Sequence, residues 1–79
     1  MNNNLVPLSE LPPGRLGIVK NLAVEGVARR RMFDLGLIHG TAVESLMKSP
    51  AGDPIAYRIR GAVIALRLEE AEKLLVEVR

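Results

Sequence analysis

The sequence predicts a mainly β domain, a small barrel of about five short strands with one helix inserted between strands one and two. Three observations carry that reading. Apolar and polar residues alternate over short runs bounded by Pro- and Gly-rich turns, as in Ile55, Tyr57 and Ile59 against Ala56, Arg58 and Arg60. One segment, Val24 to Leu35, instead repeats its apolar residues at three- and four-residue spacing. The chain has 79 residues, enough for one domain. An open five-stranded sheet of that size would leave edges prone to pair with other chains, so curling into a barrel is the economical solution.

Residues 1–9 read as a flexible lead-in to a domain spanning 10–79. Leu11-Pro12-Pro13-Gly14 is a stiff turn, because the prolines fix φ and glycine permits a reversal. Strand one runs from Arg15 to Leu22. The helix follows, with Val24, Val27, Ala28, Met32 and Leu35 on one side and Glu25 in the first turn, where the dipole favours an anion. Gly36 is placed to stop it as a left-handed C′ residue. The turn Ile38-His39-Gly40-Thr41 leads into a strand from Ala42 to Lys48. In Ser49-Pro50-Ala51-Gly52-Asp53-Pro54, Pro50 and Gly52 suit the second and fourth positions of a tight turn. Pro54 keeps Asp53 extended, and Asp53 is expected to bond nearby backbone N–H groups. After the Ile55 strand, Gly61 interrupts and Ala62 to Arg67 forms another. Leu68 to Lys73 can close one helical turn, with Glu69 and Lys73 paired at i,i+4, and Leu74, Val76 and Val78 alternate with Leu75, Glu77 and Arg79 in the last strand. Small SH3-like barrels have this economy of parts.

Composition narrows the function. There is no cysteine, which excludes disulfides, thiolate metal sites and cysteine nucleophiles. One histidine, one tyrosine, one phenylalanine and no tryptophan supply little for stacking or paired-His catalysis. The net charge of +2 is unevenly placed: Arg15 to Arg67 holds nine Lys/Arg against four Asp/Glu, whereas the last twelve residues are net acidic. Such asymmetry steers acidic partners to the middle of the chain. The start lacks the basic and apolar regions of a signal peptide, and the uncharged run Gly61 to Leu66 is far below the ~18 residues of a spanning helix. The expected setting is cytoplasmic, with membrane association only through a partner.

Arg29-Arg30-Arg31 fans over the outer face of the helix. It reads as a docking patch for an acidic surface, as an arginine offered to a GTPase phosphate site, or as a solvated helix end where cations are favoured. Leu37 and Ile38, just past the helix stop, join Arg29, Arg30 and Arg31 as candidate partner-binding residues. Gly36, Gly40, Pro50, Gly52, Asp53 and Pro54 form the turn framework. His39 is the lone imidazole, and nothing along the chain fixes Asp34 or Glu44 beside it. No metal or other cofactor is expected. Ser9, Thr41, Ser45 and Ser49 have only His39 as a base and no acid to orient it, so an enzyme is the least favoured class. Local basicity keeps a small-barrel nucleic-acid binder in view, but Tyr57 and Phe33 are few platforms for stacked bases.

Three segments, in this order and spacing, resemble the FeoA family of small bacterial ferrous iron transport proteins. Arg30 to Gly40 is similar to its basic–apolar stretch ending in Leu-Gly-(apolar)-(apolar)-Pro-Gly; Ser49 to Ile55 to its Ala-Pro-Leu-Gly-Asp-Pro-Ile turn; Ile64 to Ala71 to its closing apolar-Leu-Arg segment. The likeness runs from Gly14 to about Val78. His39 departs from the usual proline and Ala51 from the usual leucine. The resemblance implies an SH3-like barrel and a partner more than a reaction: FeoB, a membrane ferrous iron transporter with a cytosolic GTPase domain, which this protein would bind and modulate. The same barrel closes metal-dependent repressors, so a metal-regulator-type interaction domain stands as the alternative beside nucleic-acid binding. Self-association stays open.

Overall fold

The structure, a computed structural model, describes residues 5–79. Its elements are β1 (Leu5–Pro7), a 3-10 turn (Leu8–Glu10), β2 (Leu16–Leu22), α1 (Gly26–Asp34), β3 (Ala42–Lys48), β4 (Ile55–Ile59), β5 (Ala62–Leu66), α2 (Leu68–Ala71) and β6 (Leu74–Val78). All pairings are antiparallel, in the order β1-β6-β2-β3-β4-β5. Register shifts between Val19 and Asn21 on β2 and between Ser45 and Met47 on β3 mark bulges. Extra residues of that kind bend and twist a strand, which curls the sheet around one core. Arg15 ties the start of β2 to the end of β6 by donating twice to the Arg79 carbonyl, at 3.1 and 2.9 Å.

The sequence reading places five strands and a loose lead-in; the structure has a sixth strand inside that lead-in. Leu5, Val6 and Pro7 face Glu77, Val76 and Leu75 of β6. Leu8 is fully buried, and its carbonyl accepts a 3.1 Å bond from the buried Tyr57 hydroxyl. Burial pushes that hydroxyl's pKa upward, so it remains a donor at all physiological pH values. Pro7 is tolerated because β1 lies at the sheet edge, where a missing N–H breaks no ladder. Residues 1–4 of the expected lead-in lie outside the described residues.

The helix is shorter than its apolar pattern suggests. It starts at Gly26, whose φ is +64°, so the helical phase does not extend back to Val24. Val24 is buried from the extended segment before it, while Val27, expected on the core side, is 86% exposed. Met32 is fully buried, with Ala28 and Leu35 packed beside it. The end is a Schellman motif. Gly36 N–H donates to the Phe33 carbonyl and Leu37 N–H to the Met32 carbonyl, both at 2.9 Å, with Gly36 at φ +90°.

The turn before β4 also acts at long range, on the start of α2. Gly52 N–H closes on the Ser49 carbonyl at 2.8 Å, the turn expected from Pro50 and Gly52. The Asp53 carboxylate does not take up the nearby N–H groups expected of it; its own N–H donates to the Ser49 hydroxyl at 3.0 Å. Its Oδ1 accepts from Leu68 N–H at 3.0 Å, satisfying a donor at the start of α2 fifteen residues away.

Candidate protein-docking site

The basic triplet of α1 separates into three environments. Arg31 forms an ion pair and hydrogen bond with Glu70 of α2. Arg30 reaches Asp34 at 4.0 Å across one turn, both side chains largely exposed, a geometry of little energetic weight. Arg29 donates to the Leu22 carbonyl at 3.3 Å and has no carboxylate within salt-bridge reach among the described residues.

Glu70 is a structural group. Burial alone would raise its carboxyl, but the Arg67 backbone N–H at 2.9 Å and the Arg31 guanidinium bring its pKa below the ordinary value. A depressed carboxyl stabilises the fold above its unfolded pKa of about 4.3, and the contribution fades as pH falls through the lower folded value. Glu70→Gln is therefore expected to cost about 1 kcal/mol at neutral pH, a figure discounted for the half-exposed Arg31. Urea denaturation at neutral and acid pH should show the gap to wild type closing in acid. A gap independent of pH would assign the loss to packing.

Of the two apolar candidates beyond the helix, only one stays on the surface. Leu37 is fully buried, contrary to its assignment as a partner-binding residue. The Schellman motif brings it back against Met32, the customary apolar contact across such a cap. Ile38 is half-buried and His39 exposed. They separate two neighbouring dents. One, of about 170 Å³, is lined by Leu22, Arg29, Phe33, Leu37, Ile38 and His39. The other, of about 350 Å³, is lined by Ile38, His39, Gly40, Thr41, Ala42 and Arg60.

Two residues that sequence reasoning left out belong to this surface. Phe33 is 65% exposed on α1, one turn from Arg29, and forms a wall of the smaller dent. Its position follows from 3.6-residue periodicity once Met32 faces the core. Arg60, at the tip of the β4–β5 hairpin, lies across Gly36, where an added Cβ would meet its Cδ at 3.2 Å and its Nε at 3.3 Å. Glycine is required there for the positive φ and for the arginine stem alike. Only the fold brings Arg60 to the helix end; no spacing along the chain signals it.

Together the two dents make a partly apolar groove that shares Ile38 and His39, with Leu22, Phe33 and Arg29 on the smaller side and Arg60 on the larger. No carboxylate lines either dent, and Arg29 and Arg60 are unpaired among the described residues. Such a surface offers an aromatic anchor, apolar contact and unsatisfied positive charge, the ingredients of a protein-binding hot spot. His39 and Thr41 line the larger dent with no acid beside them to orient the imidazole. Among the described residues no three His, Cys, Asp or Glu side chains gather as a metal site, and no helix is long and apolar enough to cross a membrane.

Comparison with known proteins agrees with this architecture. The FeoA domain family matches residues 6–78. The chain is 35% identical over 71 residues to an Fe(2+) transport protein A/Fe(2+) transporter FeoB fusion protein of Porphyromonas gingivalis, covering 90% of this chain and only 8% of that protein. The solution structure of FeoA from Chlorobium tepidum superposes with a TM-score of 0.87 at 38% identity, over 92% of this chain and 70% of the other. The crystal structure of Stenotrophomonas maltophilia FeoA complexed with zinc, described as a procaryotic SH3 domain protein, gives 0.72 at 32% identity, over 87% and 86%. With its six-stranded SH3-like sheet and a match over nearly every described residue, the chain belongs to the FeoA family of ferrous iron transport.

Proposed function

We propose that this protein is an accessory subunit of ferrous iron transport that binds a FeoB-type membrane transporter from the cytoplasmic side and modulates it. The groove between α1 and the 36–41 turn is the docking surface. Arg29, Arg30, Phe33, Ile38 and Arg60 make the contacts, and Arg31 and Leu37 hold the surface in shape. The observation that carries this reading is the pair of cations, Arg29 and Arg60, with no carboxylate partner on either side of a partly apolar groove. Support for the partner comes from the P. gingivalis protein, in which transport protein A and FeoB share one chain. With Tyr57 buried, Phe33 alone could stack a base, which favours a protein partner over nucleic acid.

The test uses this protein and the cytosolic GTPase domain of the FeoB-type transporter from the same genome, titrated by calorimetry at low and moderate salt. Wild-type affinity should weaken as salt rises. Arg29→Glu combined with Ile38→Asp should weaken it at least ~10-fold, the loss of about one hot-spot contact. Equal affinity for wild type and the double variant would reject this surface.

A further inference from the structure

The open edge of the sheet is self-complementary. β5 is the last strand in the sheet order, and its register with β4 is regular throughout. Its hairpin turn has two residues, Arg60 at φ +53° and Gly61 at φ +83°, so Ile59 and Ala62 exchange both backbone hydrogen bonds. Bonded and non-bonded pairs then alternate along an antiparallel ladder. Tyr57–Ile64 and Ile55–Leu66 are bonded pairs; Arg58–Val63 and Ala56–Ala65 are not. The N–H and C=O groups of Val63 and Ala65 therefore point away from β4, and no backbone or side-chain partner among the described residues takes them up.

Within β5 itself no residue guards this edge. Ala62 to Leu66 contains no charge and no proline, and the two bulges lie on other strands. Val63 is 59% exposed, and Ala65 stands in a cross-strand row with Ala56 and the 64% exposed Met47. We propose that β5 pairs antiparallel with β5 of a second copy of this chain about a two-fold axis at Ile64. In that register Val63 faces Ala65 on both sides of the axis. All four outward groups of each strand are then used, in two bonded pairs. The second copy's Val63 also extends the row Met47, Ala56, Ala65. A pairing that satisfies both strands identically is what a two-fold interface requires.

Two features set its strength. A five-residue strip falls well short of the ~1,200 Å² of a standard interface, so the dissociation constant should lie at ~0.1–1 mM. At each end Arg67 comes opposite Gly61 of the second copy and beside its Arg60, so like charges approach. Added salt should strengthen the dimer, the opposite sign to that expected at the docking groove.

Sedimentation of the full chain between about 20 µM and about 2 mM, at low salt and about 0.5 M salt, should show a monomer becoming a dimer, more completely at high salt. Amide exchange at Val63 and Ala65 should slow as concentration rises. Ala65→Pro removes an N–H that β4 does not use, and should weaken the dimer at least ~10-fold. Val63→Lys should do the same if the proline variant fails to fold. A monomer at the highest concentration in both salts, or a dimer indifferent to both variants, overturns the pairing. Neither result bears on transporter binding, which the groove variants test separately.

Discussion

Leu8→Ala is expected to destabilise the protein by about 3 kcal/mol, the usual cost of emptying a fully buried leucine site. A domain of this size has a total stability of roughly 4–12 kcal/mol, so the variant should lose a large share of its folded margin. The 3-10 turn serves the core in two ways, of which Leu8→Ala removes the first. The side chain lies in the common core, and the 3-10 turn carrying it presents the carbonyl that receives the Tyr57 hydroxyl. Tyr57→Phe should cost about 1 kcal/mol, because it removes the hydroxyl's bond and leaves the Leu8 carbonyl with the Leu11 N–H as its one remaining donor. Urea titration of both variants measures the difference, with an unchanged m-value showing that the denatured state is unaffected. A loss below about 1 kcal/mol for Leu8→Ala would return residues 5–9 to the status of a lead-in.

Gly17→Ala should cost about 2 kcal/mol although it adds a single carbon. Gly17 is buried on β2, and a Cβ there would lie 2.8 Å from Val76 Cγ2, 3.0 Å from Val76 Cβ and 3.4 Å from Leu11 Cδ2. Contacts of that length force the valine or the strand to move. Since β6 is hydrogen-bonded on both sides, by β1 and β2, it has little freedom to yield. A double-mutant cycle with Val76→Ala identifies the cause. Gly17→Ala should be markedly less costly in the Val76→Ala background, because the colliding methyl is gone. Additive losses would place the cost in backbone conformation instead.

Much of this fold is legible in the chain. Five strands, Leu16–Leu22, Ala42–Lys48, Ile55–Ile59, Ala62–Leu66 and Leu74–Val78, follow short apolar-rich runs of the chain, and the helix stops at Leu35–Gly36 as its glycine requires. β1 is hidden for a physical reason. Three residues ending in proline show no alternation, and the strand exists because β6 offers it an edge. Val27 misleads because the helical phase is broken at Gly26. The proposed docking surface is half legible: the arginine triplet and Ile38 announce it, but the cap that Gly36 forms draws Leu37 into the core. Arg60 reaches the site from another hairpin, a meeting that depends on sheet order alone.

The place of β6 between β1 and β2 has a consequence for how the chain is made. β1 and β2 both precede β6 in the sequence, yet each must pair with it to complete the sheet. During synthesis, at ~5–20 residues per second, β1 waits several seconds for its only neighbour to be translated. Throughout that interval Leu8 and Val19 have no finished core to enter. The sheet is completed only when Leu74 to Val78 takes its place between β1 and β2.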